Sequence, residues 1–252
     1  MRFTYLIYLL YILLFFNCKQ PKAYLSKIEG KQIQITDSLS SDSDIENFIK
    51  PYRNHIQKDL DSVLAYSKDT YSKSDGEFNT AIGNFMADAV FEQANPVFKS
   101  RIGNNIDMVL LNHGGIRSIL SKGNITTRTA FELMPFENSI VVTALKGTQV
   151  DSLVTYLSKA KKAHPIAKLK LNIDKDFNVI EATINGKKID SEKIYYVATN
   201  DYLYNGGDGM TFFQPNEGVY KLDYKIRTAL IDYFKKVDTI SPVRDNRFIQ
   251  TK

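Results

Sequence analysis

The chain has 252 residues, 33 basic and 28 acidic, for a formal net charge of +5, with 43% apolar and 24% charged residues. This ordinary composition excludes disorder as the main state, and Gly 13 with Pro 7 excludes collagen-like or linker character. One Cys excludes a disulfide scaffold and a Cys-rich zinc site, three His restrict metal chemistry, and the scattered +5 reads as solubility, not as a nucleic-acid footprint.

Residues 1–17 start with Arg2 and continue as an almost unbroken apolar run from Phe3 to Phe16. A basic head before such a run is the layout of a secretory signal, and the run is shorter than the about 20 residues of a membrane span. It ends at Cys18, the single Cys of the chain. A lone Cys at that point resembles the lipidation site of a bacterial lipoprotein. The resemblance implies a signal peptide over 1–17, a lipid on Cys18, and an exported, membrane-anchored protein facing the periplasm or the cell surface. Asn17 stands where such signals carry a small residue. The alternatives are an uncleaved anchor, or an ordinary signal with an incidental Cys. Residues 18–29 then read as a polar tether and 30–250 as one domain.

Within that domain, Ile33 and Ile35 alternate and predict an edge strand over 31–36. Ser43 with Glu46 forms a capping-box pattern, and Ile45, Phe48, Ile49, Tyr52, Ile56, Leu60 and Val63 recur at helical spacing. A second helix from about Asn79 carries Ile82, Phe85, Met86 and Ala89 on one face. Residues 108–111 form a short strand, Gly123-Asn124 a turn, and Thr126 or Thr127 caps a helix that Pro135 ends. Strands follow over 139–145, 167–173, 179–184 and 194–199, with a helix over 150–161. Asn185-Gly186 is the best hairpin signal in the chain. Residues 224–236 form a closing amphipathic helix. Alternating strands and helices with a hairpin define an α/β (α+β mixed) domain, a mixed sheet flanked by helices.

Three polar loops punctuate this pattern: residues 112–117, 135–138 and 200–209. Each lies at a strand or helix end, where ligand sites of open α/β sheets gather. Taken singly, each is also a plain tight turn, with Gly114, Gly115, Gly206 and Gly207 supplying positive φ. Neither Gly-rich loop fits a Walker or dinucleotide fingerprint.

In order, the segments LNHGGIRSIL, GNITTRTAFELMPFENSIVVTALKG and YYVATNDYLYNGGDGM resemble the C-terminal domain of the 5′-nucleotidase family, and AIGNFMADAV resembles the helix before them. In that family this domain recognises the nucleotide, while a separate calcineurin-like domain holds two divalent metals and performs the hydrolysis. The resemblance implies that Phe136 and Tyr202 sandwich the base, that Asn138 and Asp208 are polar groups near base and ribose, and that Asn112 and Arg117 contact ribose or phosphate. Aromatic faces stack on any base, and a guanidinium matches phosphate oxygens with paired donors. Tyr202 stands where Phe is usual. The Arg expected before the GN-containing helix is missing, since no Arg lies between Arg53 and Arg101.

A dinuclear phosphoesterase site needs many His and Asp ligands. With His55, His113 and His164 alone, and no Asp-x-His or Gly-His-x-His, the chain offers no catalytic residue set and no metal site. Asn112-His113 resembles part of a metallophosphatase ligand pair without support elsewhere. His55 and His164 read as structural or solvated. Cofactors are therefore expected on a partner, as divalent metals of a separate metallophosphatase chain. Two main readings stand: a nucleotide-recognition chain acting in trans in nucleotide catabolism, or a non-catalytic nucleotide- or nucleoside-binding lipoprotein. A degenerate domain kept as an interaction surface is a third.

Overall fold

The structure, a computed structural model, describes residues 24–251. The signal segment 1–17 and Cys18 lie outside the described residues. The chain divides into two compact units, Met1–Ile49 and Lys50–Lys252, and everything that positions the site lies in the second.

Residues 24–42 form neither helix nor strand, so the strand expected over 31–36 is not there, and Ile33 and Ile35 are exposed. Two alternating residues do not make a strand without a neighbour to pair with. Helix α1 (Ser43–Leu60) is capped one residue earlier than the capping box suggests. The Asp42 carboxylate accepts from the backbone N–H groups of Asp44 and Ile45, at 2.9 and 3.1 Å. The helix runs through Pro51 and stops at Leu60.

The chain then continues as β1 (Val63–Ser67), α2 (Ala81–Ile102), β2 (Met108–Leu110), β3 (Gly123–Thr126), α3 (Thr127–Leu133), β4 (Ser139–Lys146), α4 (Gly147–Ala160), β5 (Ile166–Ala167), β6 (Leu169–Ile173), β7 (Val179–Ile184), β8 (Lys187–Lys188), β9 (Ile194–Asn200), α5 (Asp201–Tyr204), β10 (Gly218–Lys225), α6 (Ile226–Lys236), β11 (Thr239–Ile240) and β12 (Phe248–Gln250). Three sheets form, in the orders β11-β1-β3, β10-β4-β9-β2-β5 and β12-β6-β7-β8. This is the mixed α/β fold that the alternation of elements predicts. Three local readings change. Val63 opens a strand instead of closing the helical stripe. Gly123 and Asn124 pair with Ser67 and Tyr66 inside β3 instead of turning. Residues 218–225 form a strand whose only buried residue is Leu222, too weak an alternation to stand out, so the closing helix starts at Ile226.

The five-stranded sheet is the frame of the fold. Its successive residues feed two different cores. Val109, Leu111, Ile140, Val142 and Ala198 face a core shared with α2 and α6. Met108, Leu110, Leu145, Tyr195 and Val197 face a second core, shared with α4 and the four-stranded sheet. Burial on both faces explains why β2 and β9 read as continuous apolar runs. Helix α2 starts where the Thr80 hydroxyl accepts from Gly83 N and ends on Gly103 in the left-handed region. The Asn185-Gly186 turn has φ of 51° and 75°, the double positive φ of a two-residue hairpin between β7 and β8.

Strand direction sets the rest. β2 runs parallel to β9, and β4 runs antiparallel to β9 with Ile140 opposite Asn200. The loops that follow β2 and β9 therefore emerge at the same end of the sheet as the loop that enters β4. These are the three loops that the sequence singles out.

Candidate functional site

At that end lies a cleft of about 690 Å³, bordered by Asn112, Gly114, Arg117, Phe136, Glu137, Asn138, Asp201, Tyr202 and Asp208. The size suits a small organic ligand. All six side chains named as substrate contacts border it. Phe136 and Tyr202 are 42% and 45% exposed, so both rings are open to solvent at the cleft.

The first loop is fixed from beneath. Asn112 Oδ1 accepts from Asn200 Nδ2 at 3.0 Å, and Asn200 Oδ1 caps α5 by accepting from Leu203 N at 2.8 Å. Residues 113–115 form a short 3-10 turn. A Cβ on Gly115 would come to 3.0 Å from Asn112 Oδ1, so Gly115 keeps that amide in place. Neither Gly114 nor Gly115 has positive φ; close approach, not backbone conformation, explains Gly115. The Arg117 guanidinium lies 5.6 Å from the Phe136 ring centre and 3.5 Å from Gly114 O.

The second loop is held by a side chain that the sequence does not flag. Arg227, in the first turn of α6, is almost wholly buried and rests on the Phe131 ring at 4.0 Å. Its Nη1 donates to the carbonyls of Met134 (3.3 Å), Pro135 (3.1 Å) and Phe136 (3.3 Å), while Nη2 pairs with Glu137. Ile226 N donates to Asn138 O at 3.0 Å. The backbone that carries Phe136 is thus clamped on its inner side while the ring stays free. Lys225 also pairs with Glu137, and hydrogen bonds from Lys225 and Arg227 hold its carboxyl down at about 2. Asn138 Nδ2 donates to Asp201 Oδ1 at 2.7 Å, and Tyr202 N donates to the same oxygen at 2.9 Å.

The third loop folds back under its own aromatic ring. The Tyr202 hydroxyl donates to Asp208 Oδ1 at 2.9 Å and accepts from Asp208 N at 3.3 Å. The carboxylate beside it raises the phenol's pKa. Gly206 and Gly209 have φ of 89° and 74°, and Asp208 itself sits at 53°, a region Asp tolerates better than most residues. Gly207 has ordinary φ, but a Cβ there would lie 2.5 Å from Tyr202 Cε1. Its hydrogen is what lets the ring lie on the loop. Tyr156 of α4 donates to Asp208 O at 2.8 Å from behind.

His164 stands behind the first loop, buried to 2% exposure, so it is structural and not solvated. Its Nδ1 accepts from His113 N at 3.3 Å, and its Nε2 has no partner among the described residues. Burial lowers its pKa to about 4. His113 Nδ1 lies 3.2 Å from Ala163 O. His55 is exposed and lies 3.5 Å from Asp59 on the same helix. Among the described residues no group of three or more His, Cys, Asp or Glu could hold a metal ion. The donor set of a two-metal hydrolase is therefore not one these residues fit.

Glu137 and Asp201 border the cleft without having been singled out. Both are sequence neighbours of named residues, Glu137 inside PFEN and Asp201 beside Tyr202, and that adjacency was the available signal. Arg227, Tyr156 and His164 act through tertiary contacts and carry no local signal.

The mixed α/β fold and the chain's sequence are those of a known domain family. The profile of the 5'-nucleotidase, C-terminal domain, matches residues 62–215, and the chain belongs to that family. It is 33% identical to the Trifunctional nucleotide phosphoesterase protein YfkN of Bacillus subtilis, over 69% of this chain and 13% of that protein. It is 26% identical to the Cell wall protein Lmo0130 of Listeria monocytogenes, over 84% of this chain and 29% of that protein. The solved 5'-nucleotidase precursor of Thermus thermophilus shares the fold, with a TM-score of 0.69 at 22% identity, over 81% of this chain and 42% of that one. The chain spans less than half the length of the curated relatives it matches.

Proposed function

We propose that this chain is the nucleotide-recognition part of a 5′-nucleotidase-type hydrolase and works with a metallophosphatase chain that supplies the divalent metals. The observation that carries the reading is that two half-exposed aromatic rings, Phe136 and Tyr202, border one cleft together with Asn112, Arg117, Asn138 and Asp208. Two such rings stack on a purine or pyrimidine, amides and a carboxylate suit the hydrogen-bonding edges of base and ribose, and Arg117 is the one cation of the lining. Hydrolysis then depends on metals held by the partner, because the described residues group no metal-ligating set. The part of the reaction that falls to this chain is to bind and orient the substrate.

In this reading the chain is exported and held at a membrane by a lipid on Cys18. The basic head, the apolar run from Phe3 to Phe16 and the lone Cys support it, and similarity to a Listeria cell wall protein supports the exported location alone. Among the described residues no helix is long and apolar enough to cross a membrane.

Calorimetric titration with adenosine and AMP tests the recognition role. Phe136→Ala should weaken binding by roughly 1–3 kcal/mol, the range for one stacking wall. Equal affinity in wild type and Phe136→Ala would remove the base-sandwich role.

A further inference from the structure

We propose that this cleft grips the uncharged nucleoside and gives no net affinity to its 5′-phosphate, so that the chain binds a nucleoside at least as tightly as the nucleoside monophosphate. The inference rests on the base-sandwich reading and goes on to say which part of the ligand the site holds.

The charges around the cleft set this preference. Its lining holds three carboxylates, Glu137, Asp201 and Asp208, against one cationic group, Arg117. Glu137 is matched by Lys225 and Arg227, which pair with it from outside the lining. These are two cations against one carboxylate, so that with Arg117 the three carboxylates and three cations around the cleft balance. Asp201 Oδ1 already accepts from Asn138 Nδ2 and Tyr202 N, and Asp208 Oδ1 accepts from the Tyr202 hydroxyl. Among the described hydrogen bonds, the second oxygen of each carboxylate accepts from nothing in the protein. The cleft therefore offers two open acceptors to the hydroxyl and amino donors of a nucleoside. A phosphate monoester carries close to two negative charges at neutral pH and donates almost nothing. It meets no excess of positive charge, and the one guanidinium of the lining lies 5.6 Å from the Phe136 ring centre and 3.5 Å from Gly114 O. Lys73, the cation that donates to Ile116 O beside Arg117, is not part of the lining.

The backbone does not reverse this balance. A phosphate-binding loop aims several free N–H groups at the ligand. Here the amides of Gly115, Ile116 and Arg117 donate to Asn112 O, His113 O and Leu133 O. Those of Gly209 and Met210 donate to Gly206 O and Gly207 O, and Asp208 N donates to the Tyr202 hydroxyl. These six amides of the first and third loops are committed within the protein.

The test is calorimetry on the chain with adenosine, AMP and ADP at about 0.02 M and about 0.2 M salt, where the range of charge interactions differs about threefold. Adenosine should bind at least as tightly as AMP, and AMP at least as tightly as ADP, at both salt concentrations. Asp201→Asn keeps an oxygen for Asn138 and Tyr202 N while removing a charge. It should raise the affinity for AMP relative to adenosine several-fold at low salt. AMP binding about tenfold tighter than adenosine, and tighter still at low salt, would overturn the inference while leaving the base sandwich intact. Binding of none of the three would remove the sandwich reading and this inference with it.

Discussion

The Tyr202 hydroxyl and the Asp208 carboxylate hold each other, at 2.9 Å from hydroxyl to Oδ1, across a loop that would not close without Gly207. The sequence alone gives this ring a stacking role that does not need its hydroxyl, and from that view Tyr202→Phe should change little. The structure gives the hydroxyl work of its own, because it pins an aspartate with φ of 53°. Tyr202→Phe is therefore expected to weaken adenosine binding by about 0.5–1.5 kcal/mol, the net worth of an ordinary hydrogen bond, through loss of a fixed Asp208. Calorimetry checks it, with adenine as a control that lacks ribose and should lose less.

Arg227 is expected to matter through the backbone of Phe136. Arg227→Met removes three bonds to buried or half-buried carbonyls, and a loss of roughly 2–3 kcal/mol in urea-unfolding stability follows. Lys at this position lacks the second nitrogen that pairs with Glu137 and the planar face that rests on Phe131, and should not fully restore it. Adenosine affinity of the folded fraction should also fall, because the loop that carries the exposed ring loses its clamp. A variant with full stability and full affinity would show that the clamp is idle.

Stability should depend on pH through His164. Burial is the main cause of its low pKa; His113 and Lys162 add to it, while Asp208 and the Leu111 backbone oppose it. The folded value of about 4 lies below the ordinary 6.5, so folding favours the neutral ring. Its full contribution is present above about pH 6.5 and is lost as pH falls toward about 4, a change on the order of 3 kcal/mol. Urea unfolding across that range should show the decline, and His164→Asn, which keeps an acceptor near His113 N, should flatten it. An identical decline in His164→Asn would assign the effect to other groups.

Much of the site was legible in sequence because its residues sit in short polar loops between apolar strands. Asn112, Arg117, Phe136, Asn138, Tyr202 and Asp208 all border one cleft because β2 and β9 run parallel and β4 antiparallel beside β9, an order the alternation of elements does not fix. What was not legible was set by tertiary contact. β10 alternates weakly because it lies at the sheet edge, and residues 123–124 look like a turn until β1 pairs with them. Arg227 reads as one more helix-surface cation until the Pro135 loop folds over it. Gly207 reads as a source of positive φ, whereas its place is decided by the ring above it.

The division of labour predicts no AMP hydrolysis by the isolated chain, with or without Mn²⁺ or Zn²⁺. A site with two metals uses His and Asp ligands in numbers that the three His here, of which only His113 and His164 are neighbours, do not provide. Mixing with a cognate metallophosphatase chain should produce phosphate release in a colorimetric assay. Turnover by the chain alone, abolished by chelator and by His113→Ala, would contradict the split arrangement and give the Asn112-His113 pair a ligand role.

The most direct measurement is a crystal structure of the chain with adenosine bound. The base should lie between the Phe136 and Tyr202 rings, with ribose hydroxyls within hydrogen-bond distance of Asp208 and the 5′-oxygen pointing out of the cleft. Adenosine seated elsewhere, or in this cleft with its base against neither ring, would contradict the account.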